Sequence, residues 1–351
     1  MEFLSEYGLF LAKSITVIIT AAIIGGILAS FGQKNKKQEK GHIEVVSLNK
    51  TITAMSDTLA DVVMSADSRK AALKAEKKNH KTEQKAEKKA LKSGAEPVVK
   101  KRVFVLDFHG DIRASAVDSF REEITTVLAQ ASSDDEVVVR LESGGGMVPG
   151  YGLAASQLDR IKKKNIPLTI CIDKVAASGG YMMACVADKI LASPFAVLGS
   201  IGVVAQIPNF NKLLKKNNID IELLTAGEHK RTLTMLGENT DEGRRKFKHD
   251  LEDTHELFKS FVRDHRPVVD IAEVANGDVW FGKRALDVKL IDEIKTSDEY
   301  ITEACETLDV FEVSYKEKKS LQEKLGLSMS IGVDKAVTRL LSTAQNSRFM
   351  S

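Results

Sequence analysis

Hydrophobic and polar positions divide the chain into an apolar start, a polar low-complexity stretch and a longer part in which apolar runs alternate with polar turns. Residues 14–33 hold no charged side chain and consist mainly of Ile, Val, Ala and Gly. About 20 apolar residues in a helix cross the hydrocarbon core of a bilayer. The pattern therefore predicts a transmembrane anchor within residues 1–33. The acidic start at Glu2 and Glu6 argues against a cleaved signal peptide.

A basic, low-complexity stretch follows the apolar span. The first lysines after the span are Lys34, Lys36, Lys37 and Lys40. By the positive-inside rule, such a cluster faces the cytoplasm. From Ser68 to Ser93 the chain is dominated by Lys, Ala, Glu and Gln, which are strong helix formers but too polar to build a core. We expect residues 34–101 to form a helical basic stalk, with attraction to anionic lipid head groups as a second interpretation.

Strand and helix patterns alternate over residues 102–316. Apolar runs predict three buried strands, at Arg102–Phe108, Glu136–Leu141 and Ile166–Ile172. Amphipathic spacing predicts a helix over Ala116–Gln130 and another that ends near Lys164. Strands that alternate with helices of this length indicate βαβ units and a mainly parallel sheet. We therefore predict one α/β domain over residues 102–316, followed by a helical tail over residues 317–351.

The loop after the second predicted strand carries three successive glycines, Gly144, Gly145 and Gly146. Because glycine has no Cβ atom, the backbone N–H groups of such a loop can approach a ligand closely and hold an oxyanion or a phosphate. A plain tight turn explains the same residues. Right-handed crossovers place this loop and the loop after the third strand at the same end of the sheet.

The loop after the third predicted strand carries Ser178 among small residues, in the run Ala176–Tyr181. A serine that opens a helix after a buried strand suits an exposed nucleophile. Small neighbours allow the sharp turn, and the helix N-terminus favours developing negative charge. Ala176 stands where the α/β-hydrolase motif has glycine, so that motif is not the one present. The alternative is that Ser178 simply caps the helix that follows.

A serine nucleophile needs a base, and the candidates lie in the run Gly227–Arg231. A lysine can act as a base when desolvation lowers its pKa towards neutrality. Lys230 follows the strand-like stretch Ile219–Leu224 and precedes a polar loop, so it can reach a cleft. His229 lies beside it in the sequence. A solvated surface lysine is the alternative interpretation.

The composition argues against a nucleic-acid partner, a disulfide framework and a metal site. The chain has 51 Lys and Arg against 49 Asp and Glu, a net charge of +2, which argues against a uniformly basic nucleic-acid binder. The three cysteines cannot build a disulfide framework, and Cys171 and Cys185 lie in apolar runs that predict buried free thiols. The seven histidines lack metal-ligand spacing. We therefore predict no metal, no other cofactor and no nucleic-acid partner.

Two motif matches carry little weight. Gly277–Lys283 has the spacing of a P-loop, but Arg284 replaces the Ser or Thr that would meet magnesium. Ser47–Lys50 matches the SxxK motif, but it lies near the stalk and lacks the partner motifs of that enzyme class. Neither run is expected to carry chemistry.

Three separated runs resemble the signal peptide peptidase A family. These runs are Asp173–Lys189 around the serine, Leu198–Val203, and Lys230–Asn239. They occur in the family's order, and the similarity covers most of the chain. The resemblance implies a Clp-protease/crotonase-like fold and a membrane-anchored serine endopeptidase that hydrolyses peptide or protein substrates with a Ser–Lys dyad and without a cofactor.

The resemblance also implies roles for individual residues. Ser178 would be the nucleophile and Lys230 the general base, while Ser200 would hydrogen-bond the lysine ammonium and orient it. The oxyanion hole would come from the backbone N–H groups of Gly145, Gly146 and Gly179. The family usually has Ser-Pro-Gly-Gly where residues 143–146 read Ser-Gly-Gly-Gly. The missing proline leaves this loop less rigid.

Location and assembly follow from the same resemblance. It implies a bacterial inner-membrane protein and a homo-oligomer in which the lysine of one subunit completes the neighbour's site. The side of the membrane stays open, because the positive-inside rule points to the cytoplasm whereas relatives often act on the far side. Two other functions also stay open. A crotonase-like acyl-CoA enzyme would use the glycine turn but leaves the anchor and Lys230 unexplained, and a membrane scaffold would carry a relict site.

Overall fold

The computed structural model describes residues 41–92, 100–227 and 229–317, together with residues 8, 13, 14 and 16. Residues 43–316 form one compact unit, and the second unit, of residues 1–42 and 317–351, lies almost entirely outside the described residues. The predicted anchor and tail fall there. Among the described residues, no helix is both long and apolar enough to cross a bilayer.

The described chain contains strands and helices in alternation. The strands are β1 (His42–Ser47), β2 (Arg102–Gly110), β3 (Glu136–Ser143), β4 (Leu168–Ile172), β5 (Val175–Ala177), β6 (Lys189–Ala192), β7 (Val197–Gly199), β8 (Val279–Phe281), β9 (Glu293–Ile294) and β10 (Asp309–Lys316). The helices are α1 (Leu48–Val63), α2 (Ala66–Lys92), α3 (Val117–Leu128), α4 (Val148–Lys162), α5 (Gly179–Ala184), α6 (Asn211–Lys216), α7 (Asp241–His265), α8 (Ile271–Val274), α9 (Gly282–Asp287) and α10 (Ser297–Thr307). The predicted mixed α/β class is confirmed.

The strands form a ten-stranded, mainly parallel sheet that branches at β3. Its main path runs β1-β10-β2-β3-β4-β6-β9, and β5, β7 and β8 form a branch. Strand β3 pairs with β4 along Val137–Arg140, and its last residue, Ser143, pairs instead with Ala176 of β5. The pairing of β7 with β8 is antiparallel. The branch opens the sheet at the carboxyl end of β3, the edge where ligands of parallel sheets commonly bind.

The buried core packs against the strands that lead to this edge. Strands β2, β3 and β4 are almost continuously buried, as expected of parallel strands covered on both faces. Phe108 contacts the rings of Phe120 on α3 and Tyr151 on α4. Every residue of α5 is buried, so the helix that follows Ser178 is held rigidly. Cys171 and Cys185 are buried free thiols, as predicted, and burial raises the pKa of Cys171 to about 12.

The predicted strand over Ile219–Leu224 is wrong. These residues are exposed and have no regular secondary structure. Their apolar and polar side chains alternate as in a strand, but a strand is stable only beside a hydrogen-bonded neighbour. No strand of the described sheet pairs with this stretch.

Part of the predicted stalk belongs to the compact unit. Strand β1 extends the sheet beside β10, and α1 follows it directly. The Asn49 side chain donates to the Leu308 carbonyl at 2.8 Å and accepts from the Val310 N–H at 2.8 Å, which fixes α1 to the body. The Lys-rich stretch beyond it forms the 27-residue helix α2.

Candidate active site

The two loops singled out in the sequence lie against each other at the branch of the sheet. Gly145 has a φ of +85°, a conformation that favours glycine. A Cβ atom built there would lie 2.7 Å from the Ala177 carbonyl oxygen, 2.7 Å from the Gly179 nitrogen and 2.8 Å from the Ser178 Cβ. The glycine loop therefore closes directly over the turn that carries Ser178, as the crossover rule predicts.

Ser178 occupies a strained turn between β5 and α5. Its φ of 52° and ψ of −118° are unusual for a residue with a side chain. The side chain makes no capping hydrogen bond to α5 and is half-buried. The Ser178 side chain therefore does not cap α5, contrary to the alternative interpretation. Serine nucleophiles of hydrolases are presented in a strand–turn–helix context of this kind. Strain of this kind concentrates at functional sites.

Ser200 lies directly after β7, the strand that pairs with the strand before Ser178. Ala177 and Gly199 are paired residues of the parallel strands β5 and β7, and the Ser178 N–H donates to the Gly199 carbonyl at 2.8 Å. Ser200 also has a positive φ, of 50°, and its N–H donates to the Asp278 carbonyl at 2.7 Å. The two serines therefore leave adjacent strands side by side.

The backbone N–H groups around Ser178 differ in their partners. The Gly145 N–H donates to the Ser143 Oγ at 3.1 Å. The Gly146 N–H has no acceptor among the described residues. Gly179 is the first residue of α5, so its N–H has no acceptor within the helix. This arrangement can stabilise negative charge that develops beside Ser178.

No hydrogen bond joins Lys230 to Ser178 among the described residues. Lys230 is exposed, its N–H donates to the Gly227 carbonyl at 3.1 Å, and its ammonium has no hydrogen bond or ion pair among the described residues. Its surroundings, residues 204–240, which we call the arm, contain a single buried described residue, Gly237. His229 is exposed in the same arm.

Three residues of the site were not predicted from sequence. Tyr151 is fully buried beneath the glycine loop, where its hydroxyl lies 2.5 Å from the Ser143 Oγ, and burial raises the pKa of this hydroxyl. Asp278 and Trp280 lie behind Ser200, and a Cβ built on Gly199 would lie 2.8 Å from the Trp280 ring. A tyrosine in an otherwise apolar stretch of helix, eight residues after the loop serine, is the one signal that could have pointed to this buried pair.

The discounted motifs have structural roles. The Ser47 side chain accepts from the Lys50 N–H as the N-cap of α1. Gly277–Lys283 forms β8 and the start of α9 rather than a phosphate loop. Within the described part of the chain, no group of three or more His, Cys, Asp or Glu side chains has a metal-binding arrangement.

A serine on a strained strand-to-helix turn, faced by a glycine loop with an open N–H, is the arrangement typical of serine hydrolases built on a parallel sheet. Residues 2–158 match Peptidase family S49 N-terminal, and residues 160–310 match Peptidase family S49. The chain belongs to this family and is a serine-type peptidase.

The chain is also similar to individual curated proteins. It is 50% identical over 351 residues to the probable protease SohB of Haemophilus influenzae, with 99% of both chains covered. It is 49% identical to the probable protease SohB of Buchnera aphidicola subsp. Schlechtendalia chinensis, over 86% of this chain and 99% of that protein. A solved structure of membrane-bound stomatin-specific protease 1510-N with a substrate peptide aligns at 14% identity and a TM-score of 0.40, covering 65% of this chain and 97% of that one.

Proposed function

We propose that the protein is a membrane-anchored endopeptidase in which Ser178 is the nucleophile and Lys230 the general base. The observation that carries this proposal is the strained turn of Ser178, with no cap bond, directly under the glycine loop. The mainly parallel, branched sheet supports the Clp-protease/crotonase-like architecture as the setting for it.

In the proposed reaction, the Ser178 Oγ attacks the carbonyl carbon of the scissile peptide while the neutral Lys230 amine takes the hydroxyl proton. The oxyanion of the tetrahedral intermediate is held by the N–H groups of Gly146 and Gly179, because the predicted third donor, the Gly145 N–H, is bonded to the Ser143 Oγ. The lysine then gives its proton to the leaving amine. The Lys230 amine then deprotonates a water molecule, whose oxygen attacks the acyl carbon, and the ammonium returns the proton to the Ser178 Oγ as the ester bond breaks. Ser200 orients the amine from the adjacent strand.

The exposed arm supports a site completed between subunits. The apolar side chains that the arm leaves at least one-third exposed are Val204, Ile207, Phe210, Leu213, Ile219, Ile221, Leu223, Leu224, Met235 and Leu236. An apolar surface of this extent marks a site of association. A second copy that covers the arm would also bury Lys230, and burial favours the neutral form of an amine.

Substitution of the two dyad residues tests the proposal in the full-length protein in detergent. Ser178→Ala should lose peptide hydrolysis by roughly 10⁴-fold or more and lose labelling by a fluorophosphonate, because the attacking oxygen is gone. Lys230→Ala should lose hydrolysis to a similar extent. Ser156→Ala and Lys164→Ala, which change an exposed serine and an exposed lysine outside the arm, should retain activity.

Labelling that survives Ser178→Ala would contradict the nucleophile assignment, and full turnover by Lys230→Ala would contradict the base. Saturable binding of coenzyme A without peptide hydrolysis would favour the acyl-CoA enzyme instead.

For the membrane anchor, a reporter fused after Lys101 determines whether this part of the chain is exported or stays in the cytoplasm.

A further inference from the structure

A buried chain of hydroxyl groups lies beneath the glycine loop. The Ser143 side chain is buried at the end of β3, and its Oγ accepts the Gly145 N–H at 3.1 Å. The same Oγ lies 2.5 Å from the Tyr151 hydroxyl. Tyr151 in turn donates to the Asp111 carbonyl at 2.8 Å. The loop is thus connected through two side chains to the backbone that follows β2.

The partners fix the direction of every bond in this chain. A tyrosine hydroxyl has one proton, and the Asp111 carbonyl can only accept, so the tyrosine proton is committed to it. The Ser143 hydroxyl must then donate to the Tyr151 oxygen, which leaves its own lone pairs for the Gly145 N–H. Each hydroxyl both donates and accepts, and such chains strengthen their members.

The Tyr151 side chain also supports the turn that carries the nucleophile. A Cβ built on Gly179 would lie 2.4 Å from the Tyr151 Cγ, so the tyrosine ring lies directly against this glycine. A Cβ built on Gly110 would lie 2.4 Å from both the Tyr151 hydroxyl and the Ser143 Oγ. One buried side chain therefore contacts both the Gly179 turn and, through Ser143, the glycine loop.

We propose that Ser143 and Tyr151 are positioning residues for the oxyanion hole, a role that rests on the proposed function of Ser178. They turn the Gly145 N–H inwards and thereby leave the Gly146 N–H, with that of Gly179, as the donors that face the reacting carbonyl. Both side chains are buried, so they act through the loop rather than on the substrate.

Removal of either hydroxyl in the full-length protein should misplace a donor that acts in the transition state. Tyr151→Phe and Ser143→Ala should each lower kcat by roughly 10- to 100-fold with KM changed less than about threefold. Because the two hydroxyls act through one chain, the double variant should lose about as much as the worse single variant rather than the product of both losses.

Tyr300→Phe is the matched control, because its hydroxyl also donates inside the body, to the Glu136 carboxylate at 2.6 Å, at the opposite end of β3. It should lower the unfolding temperature and leave kcat unchanged. A merely structural role for the Ser143–Tyr151 pair predicts the same behaviour for all three positions.

Two outcomes separate this proposal from the one it rests on. If Ser178→Ala abolishes turnover while folded Tyr151→Phe and Ser143→Ala keep wild-type kcat, the positioning role is wrong and the nucleophile stands. If Ser178→Ala retains turnover, both proposals fail together.

Discussion

Ser178 and Ser200 hold backbone conformations that residues with side chains rarely adopt, with φ of 52° and 50°. Both follow the last residue of a paired parallel strand. The surrounding bonds, from the Ser178 N–H to Gly199 and from the Ser200 N–H to Asp278, hold these conformations in place. Such strain costs about 1–3 kcal/mol for each residue and persists where the surroundings over-determine it. The turn that carries the proposed nucleophile is therefore held in its conformation by the fold itself.

Gly145 provides a test of the contact between the two loops. Gly145→Ala should lower kcat roughly 100-fold or more, because its Cβ would collide with the Ser178 turn and its φ is positive. Gly144→Ala, one residue earlier, adds a Cβ with no atom within 4 Å and should keep near-wild-type kcat. Steady-state kinetics on a peptide substrate compare the two. Equal losses in both variants would show that the loop needs general flexibility rather than this contact.

The residues of the site differ in how far sequence reveals them. Ser178 and the glycine loop are recognisable because small residues after apolar runs mark sharp turns at strand ends. The Ser143–Tyr151–Asp111 chain is not, because it depends on how α4 packs under two loops from different strands. The role of Lys230 does not follow from local pattern either, since the arm that carries it is exposed and makes few contacts with the sheet.

At the scale of elements, the alternating pattern predicts the central strands and the helices α3 and α4 within a few residues. The pattern does not predict that β3 pairs with β4 over Val137–Arg140 and with β5 at its last residue, because pairing partners are set by tertiary packing. It also assigns β1 and α1 to a stalk, because their exposed side chains resemble the polar stretch that follows. The bonds of Asn49 to β10, distant in sequence, connect them to the body.

The contact between α3 and β10 contains a buried acid that should make stability depend on pH. Glu123 accepts the Tyr315 N–H at 2.7 Å, and burial, assisted by Asp107 and opposed by Lys316, raises its pKa from 4.5 to about 7. The unfolded chain releases this proton near pH 4.5, whereas the folded protein keeps it up to about pH 7. The unfolded state therefore binds fewer protons in this window, and stability falls as pH rises through it.

Glu123→Gln should remove this dependence. Glutamine keeps an acceptor for the Tyr315 N–H and cannot ionise. Between pH 4.5 and pH 8, the free energy of unfolding should therefore fall by roughly 2 to 3 kcal/mol less in the variant than in wild type. Urea unfolding at several pH values measures this difference. The exposed neighbour Glu122→Gln serves as control and should follow the wild-type curve. An unchanged pH slope in Glu123→Gln would exclude Glu123 as its source.

At the scale of the whole molecule, the exposure of the arm and of Lys230 supports the proposal that the site is completed between subunits. Mixing of Ser178→Ala with Lys230→Ala subunits should then restore activity, because a Lys230→Ala subunit supplies the serine and its neighbour the lysine. Random assembly of equal amounts in a closed ring gives about a quarter of wild-type activity. Activity is measured after subunit exchange in detergent.

The double variant Ser178→Ala/Lys230→Ala, mixed with either single variant, is the control and should restore nothing. A dyad formed inside each chain would leave the mixture of single variants as inactive as its components.

The packing of Trp280 against Gly199 has a consequence beyond the support of Ser200. Trp280 is the single tryptophan of the chain, and its indole nitrogen is buried without a hydrogen-bond partner among the described residues. All tryptophan emission of the protein therefore comes from a ring beside Gly199, whose carbonyl accepts the Ser178 N–H. The emission wavelength of this tryptophan therefore reports the polarity around the candidate site without any added dye.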